Sequence, residues 1–130
     1  MAKKKTWDEK MGSPAEPMVK TLAKGFAGFQ PGDTVLIPTP RQIESYICQL
    51  KTGETRTVAE MREHFAKEHG ADLTCPVTTG ILLRVVCEAS LDADSQVNAP
   101  FWRVLDPSSP TAQKLPCGPE WVAGKRADEA

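Results

Sequence analysis

The fold is decided by residues 57–90, TVAEMREHFAKEHGADLTCPVTTGILLRVVCEAS, which the pattern divides into two helices around a turn. Thr57 and Glu60 have the spacing of a capping box, in which two backbone N–H groups at a helix start are bonded by nearby side chains. Gly70 predicts the end of the first helix, because glycine adopts a left-handed conformation readily. Pro76 suits the first turn of the second helix, where its missing N–H is no loss.

The second helix is predicted to be amphipathic. At 100° per residue, its buried stripe contains Ile81, Leu82, Val85, Val86 and Ala89. Its outward face is predicted to carry Gly80, Arg84, Cys87 and Glu88. A helix pair of this kind has the geometry of a helix-turn-helix, whose second helix can enter a DNA major groove. The pattern alone favours the other interpretation, a pair of core helices.

Flanking segments complete the predicted fold. Residues 39–42, TPRQ, cap a further helix, in which apolar side chains recur at helical spacing at Ile43, Tyr46, Ile47 and Leu50. A short strand is expected at residues 35–37 and another at 101–105, and residues 114–119 could return along the latter as a wing. The fold class is therefore expected to be mainly α with a small β wing: a winged helix-turn-helix with a three-helix core.

The chain is expected to be one domain with two loose ends. Residues 1–33 are interrupted by glycine and proline and predict a loosely attached arm, whose apolar residues Trp7, Met11, Phe26 and Phe29 should wrap part of it around the domain or a second copy. The domain itself is expected over residues 34–124. Residues 125–130 are expected to be a frayed tail.

Composition limits the function. With 16 basic and 17 acidic side chains the net charge is −1, so a DNA-binding function needs a local basic patch. There is no apolar run long enough for a membrane span or a signal peptide, which predicts a cytoplasmic protein with no membrane partner. The four cysteines are irregularly spaced, and His64 and His69 lie five apart. Neither pattern is typical of a zinc site or a disulfide framework, and no cofactor is expected.

Three segments of the chain carry a resemblance to a known family. They are GETRTVAEMREHFAKEHG at residues 53–70, CPVTTGILLRVV at 75–86 and PFWRV at 100–104. Together they resemble the DNA-binding domain of the alkylguanine-DNA alkyltransferases and the non-catalytic alkyltransferase-like proteins, over residues 40–105. The likeness is nearest to short bacterial members with a CP-x-TTG run and a P-[FY]-W-R motif. It implies a winged-helix fold that binds double-stranded DNA.

The departures from the family pattern imply that the chain is not an enzyme. Phe101 stands where the family has its acceptor cysteine, and Trp102 where it has the activating histidine. Alkyl transfer needs a thiolate, and a phenyl ring offers no nucleophile. Gly80 replaces the arginine that props the duplex open, and Val58 replaces a tyrosine. The resemblance therefore implies a non-catalytic DNA-binding protein that senses alkylated guanine for DNA repair.

Particular residues are expected to carry that function. The predicted DNA contacts are Arg56, Thr78, Thr79, Gly80, Arg84 and Arg103. The threonines could donate to phosphate at the helix start or serve as ordinary caps. Phe101 and Trp102 are expected either to stack on a base in the former alkyl pocket or to pack as structural residues.

Two other functions remain open. The same scaffold could be a protein-interaction module that binds a partner protein or forms a homodimer, which the near-neutral charge, Leu83 on the helix flank and the apolar arm favour. An enzyme using Cys75 or Cys117 as a displaced acceptor is the third possibility. Neither cysteine is adjacent to a histidine, although Cys75 near a helix start could have a lowered pKa.

Overall fold

The computed structural model of the chain describes residues 6–25 and 29–130. The helices in this part of the chain are α1 (Trp7–Met11), α2 (Pro40–Gln49), α3 (Val58–Glu68), α4 (Pro76–Leu91), α5 (Pro110–Lys114) and α6 (Gly118–Glu129). The strands are β1 (Met18–Thr21), β2 (Thr34–Ile37) and β3 (Leu73–Thr74), and a 3-10 turn covers Phe101–Arg103. Of the predicted arm, residues 1–5 and the apolar Phe26 lie outside the described residues.

The predicted starts of α2, α3 and α4 and the predicted end of α3 are confirmed. The Thr39 hydroxyl accepts from the Gln42 N–H at 3.1 Å, and the Thr57 hydroxyl accepts from the Glu60 N–H at 3.0 Å. In both helices the side chain three residues on bonds back to the cap, completing a capping box. Gly70 has φ +64° just past α3, and Pro76 occupies the first turn of α4. These boundaries follow from local chemistry, since each cap closes within a few residues.

α4 is the central helix of the fold, and it is covered on more sides than predicted. The expected outward positions Cys87 and Glu88 are buried, and so is Leu83. Conversely Ile81, expected in the core, is 61% exposed. The two-faced pattern was wrong because α4 has cover from α1, from α2 and from the segment after it, all of which contribute to one core cluster.

A small three-stranded sheet lies beside the helices, in the order β1-β2-β3. β1 and β2 are antiparallel, while β2 and β3 are parallel with Val35 opposite Leu73. Thr34 and Asp72 fix this register: the Thr34 N–H donates to the Asp72 carboxylate at 2.8 Å, and the Asp72 N–H donates to the Thr34 hydroxyl at 3.0 Å. A mainly α fold with a small sheet is therefore confirmed, and the strand at 35–37 belongs to it.

The predicted strand at 101–105 and its returning partner at 114–119 are wrong. The first is the 3-10 turn, in which the Leu105 N–H bonds to the Phe101 carbonyl at 2.8 Å. The second is the end of α5 and the start of α6. Ser109 caps α5 ahead of Pro110, and Gly118 and Pro119 open α6. Pro110 and Pro119 therefore stand in the first turns of helices, where proline is favoured.

Both chain ends pack more closely than expected. In the arm, α1 packs on α4 with Met11 fully buried, and β1 pairs with β2. In the predicted tail, α6 continues to Glu129, whose carboxylate accepts from Arg103 Nε at 2.9 Å and Nη2 at 2.8 Å. The fraying predicted from residue 125 is wrong because this ion pair, only 13% exposed on each side, holds the end of α6 against the 3-10 turn.

Replacing Glu129 by glutamine should destabilise the fold by about 1–3 kcal/mol at neutral pH, the range expected for hydrogen bonds to a charged partner. The Arg103 hydrogen bonds lower the pKa of Glu129 from 4.5 to about 2. A lowered carboxyl pKa stabilises the fold above the unfolded value, so the advantage of the wild type should be lost as pH falls from 4.5 towards 2. Urea unfolding of both proteins across this pH range measures the difference in their free energies of unfolding.

Asp128→Asn is the matched control, because Asp128 is the exposed neighbour of Glu129 on the same helix. It should leave the unfolding midpoint nearly unchanged. Equal losses for the two variants at neutral pH would show that the Arg103–Glu129 pair contributes nothing specific.

Candidate binding surface

The predicted contacts at the start of α4 differ in accessibility. Thr79 is fully buried, and its hydroxyl donates to the Cys75 carbonyl at 2.6 Å, so it is not available to a phosphate. Thr78 and Gly80 are half-buried at the edge of the helix. A Cβ placed on Gly80 would meet no atom within 4 Å, so the space beside this position is open.

Arg84 and Arg56 are half-exposed, and each lies near a carboxylate. Arg84 Nη2 is 3.5 Å from the Glu88 carboxylate, while its Nε is buried and has no hydrogen-bond partner among the described residues. Arg56 Nη2 is 3.3 Å from Glu54, and Nη1 donates to the Thr55 carbonyl at 2.8 Å. Their positive charges are thus partly balanced within the chain, which weakens their attraction for a phosphate backbone.

Arg103 is turned into the molecule. Besides its bonds to Glu129, Nη1 donates to the Leu50 carbonyl at 2.7 Å and Nη2 to the Thr52 hydroxyl at 3.2 Å. The Glu129 hydrogen bonds raise the pKa of Arg103 further above its usual value. The guanidinium therefore joins the ends of α2 and α6 to the 3-10 turn, and it has no free face for DNA.

Phe101 and Trp102 form a closed aromatic cluster with Trp121. Phe101 is 1% exposed and stacks on Trp121 with ring centroids 5.7 Å apart. Trp102 meets both rings edge to face, and the Lys125 ammonium lies 5.3 Å from the Trp102 centroid and 5.2 Å from that of Trp121. The Phe101 ring thus belongs to the core, and a base could stack on it only if this cluster opened.

The structure brings the predicted residues together in two separate groups. The Arg56 N–H donates to the Arg103 carbonyl at 2.8 Å, so the start of α3 adjoins the 3-10 turn. Arg56 lines a cleft of about 270 Å³ with Val104 and Arg126. Arg84 lines a different groove, with α1. Arg56 and Arg84, two of the predicted DNA contacts, therefore line different cavities.

The groove between α1 and α4 was not predicted. It is open to solvent, has a volume of about 690 Å³ and is lined by Trp7, Lys10, Ser13, Ile81, Leu82, Arg84 and Val85. One turn before Ile81, Val77 is 58% exposed, so the two side chains form an apolar ridge beside the groove. A local signal for α1 was present in the sequence: Thr6 and Glu9 form a capping box ahead of Trp7 and Met11.

The described residues give little support to a metal site, a cysteine nucleophile or a membrane-spanning helix. Across residues 6–25 and 29–130, no three His, Cys, Asp or Glu side chains are grouped to hold a metal ion. Burial raises the pKa of the Cys117 thiol, which disfavours the thiolate a displaced acceptor would need, and Cys75 is buried. Among the described helices, none combines the length and apolarity required to cross a bilayer.

Comparison of the chain with protein-family models, with curated proteins and with solved structures gives no match. The resemblance to the alkyltransferase-like proteins and the DNA-binding function that it implies therefore stay predictions. The binding surface has to be argued from the geometry of this chain alone.

Phe101→Ala should reduce the free energy of unfolding by about 3–5 kcal/mol, because it leaves a cavity under Trp121 in a fully packed site. Denaturant unfolding measures the loss. Trp121→Ala, which removes the partly exposed ring of the same stack, should cost clearly less. A Phe101→Ala protein as stable as the wild type would show that the ring is not a core residue and would restore the hypothesis of a ligand pocket.

Proposed function

We propose that the chain is a non-catalytic protein-binding module that recognises its partner through the groove between α1 and α4. The observation that carries this proposal is the apolar ridge of Val77 and Ile81, 58% and 61% exposed on the helix that otherwise forms the centre of the core. Contiguous exposed apolar surface beside a groove is typical of protein interaction sites. Ile81, which the helical pattern places in the core, therefore faces solvent instead.

Both walls of the groove are anchored in the core. Leu82 and Val85 line it from within α4, and both are buried in the main core cluster. On the other wall, α1 is fixed by the fully buried Met11. Because both walls are held by the core, a partner would meet a preformed site and would not have to order it first.

The form of the groove favours a protein segment over a small substrate. Sites for small molecules enclose most of the ligand, whereas this groove is open and continues onto the exposed ridge. Among the described residues, its lining contains no histidine, cysteine or carboxylate, the side chains that most often activate or act as a nucleophile. Binding without chemistry is the function that such a lining supports.

DNA binding of the alkyltransferase-like type is the second candidate, and one observation favours it. Gly80 and Arg84, one turn apart, lie along one accessible edge of α4, which follows α3 after a short turn. In this proposal α3 and α4 act as the helix-turn-helix of a winged-helix domain, and the β1–β2 pair takes the place of the predicted wing. The chain would then sense alkylated guanine without transferring the alkyl group.

A random peptide library displayed on phage tests the protein-binding proposal. Peptides selected on the wild-type chain should bind Ile81→Asp about tenfold or more weakly, since each factor of ten corresponds to about 1.4 kcal/mol of lost apolar contact. Met18→Asp is the matched control, because Met18 is 52% exposed and lies outside the groove lining. Selected peptides that bind Ile81→Asp as tightly as the wild type would disprove the proposed site.

Fluorescence anisotropy on two matched duplexes, one plain and one carrying a single alkylated guanine, tests the second candidate. We expect neither duplex to bind at near-physiological salt, because the net charge is −1 and Arg84 and Arg56 are paired. Tighter binding to the alkylated duplex, with a salt slope that Arg84→Ala reduces by about one, would establish DNA binding instead.

A further inference from the structure

Two cationic side chains line the α1–α4 groove. Lys10 stands on the α1 wall and Arg84 on the α4 wall, with Glu88 3.5 Å behind Arg84, and none of the described residues that line the groove is acidic. The rest of the lining is apolar apart from Ser13. The groove is thus a local basic and apolar site on a chain whose net charge is −1.

Arg84 has hydrogen-bonding capacity to spare. Its contact to Glu88 is long, at 3.5 Å, and its buried Nε has no partner in the part of the chain that the structure describes. A buried donor without an acceptor is costly, and a guanidinium pairs best with a carboxylate that accepts from two of its N–H groups. A carboxylate entering the groove would meet the half-exposed Arg84 side chain, whose Nη2 is held only by the long contact to Glu88.

We infer that the groove binds an acidic, apolar peptide segment of a protein partner, an inference that rests on the proposed function and specifies its ligand. One or two large apolar side chains of the segment lie on Ile81 and Val77, while its carboxylates reach Arg84 and Lys10. Charge complementarity sets the preference for acidic over neutral segments, and the apolar ridge supplies contact area.

Two features favour a peptide over nucleic acid at this groove. The Lys10 ammonium already lies 4.2 Å from the centroid of the Trp7 ring, so it covers the ring against which a base would stack. The ridge of Val77 and Ile81 adds apolar area that a phosphodiester backbone cannot use. Side chains of a protein segment match both the charge and the apolar surface.

Three labelled peptides of about 15 residues, long enough to form a helix, test the inference. All three have Leu and Ala at the same positions. At the remaining positions the first peptide carries Glu, the second Gln and the third Lys. On the wild-type chain, anisotropy should show the Glu peptide binding about tenfold more tightly than the Gln peptide and the Lys peptide binding most weakly. The preference for the Glu peptide should decrease at high salt, because salt screens ion pairs between the peptide carboxylates and the groove cations near the surface.

Charge reversal of the groove provides the second measurement. Lys10→Glu should weaken binding of the Glu peptide and strengthen binding of the Lys peptide. Lys114→Glu reverses an exposed charge outside the groove lining and should change the binding of neither peptide. Equal binding of the Glu and Gln peptides, abolished by Ile81→Asp, would overturn the acidic preference but leave the protein-binding function standing.

Two results would count against more than the charge preference. No Ile81-dependent binding of any of the three peptides would overturn both the inference and the proposed function. Displacement of the Glu peptide by a short plain duplex would show that the groove takes phosphate, and it would overturn the inference in favour of the DNA-binding candidate.

Discussion

The burial of α4 on nearly every side is the constraint on which the rest of the structure depends. Leu83, Val86, Cys87 and Ala89 are all within the core, so neighbouring segments have to approach the helix from several directions. α1, α2 and the 3-10 turn do so. One consequence is that only a narrow strip of α4 faces solvent, and the chemistry of that strip, rather than the whole outer face of a helix, limits what the domain can bind.

The part of the fold that could be predicted is the part held by short-range chemistry. The capping boxes at Thr39 and Thr57, the left-handed Gly70 and the proline at the start of α4 act within one helical turn. Their effect can be recognised from residue types and spacing alone. The starts of α2, α3 and α4 and the end of α3 could therefore be predicted from the sequence, whatever the helices pack against.

Features that depend on residues far apart in the chain could not be predicted from the sequence. Asp72 bonds to Thr34 across 38 residues, and Arg103 bonds to Glu129 across 26, and neither pairing leaves a local pattern. The exposure of Ile81 and the burial of Cys87 likewise depend on which segments cover α4. The candidate site depends most on such distant contacts. One wall of the groove is α1, which lies in the segment expected to be a loose arm, and the other includes Ile81 of α4, whose burial the sequence pattern predicts wrongly.

Arg103 shows what the resemblance to the alkyltransferase-like proteins can support in this chain. The P-x-x-R-V arginine was expected to contact DNA, yet its guanidinium is bound by Glu129, the Leu50 carbonyl and Thr52. Phe101, in the position of the acceptor cysteine, is likewise part of the core. Both motif residues are accounted for by folding. In this chain the motif residues therefore support the fold. The ligand has to be inferred from the accessible strip of α4, where apolar and basic side chains meet.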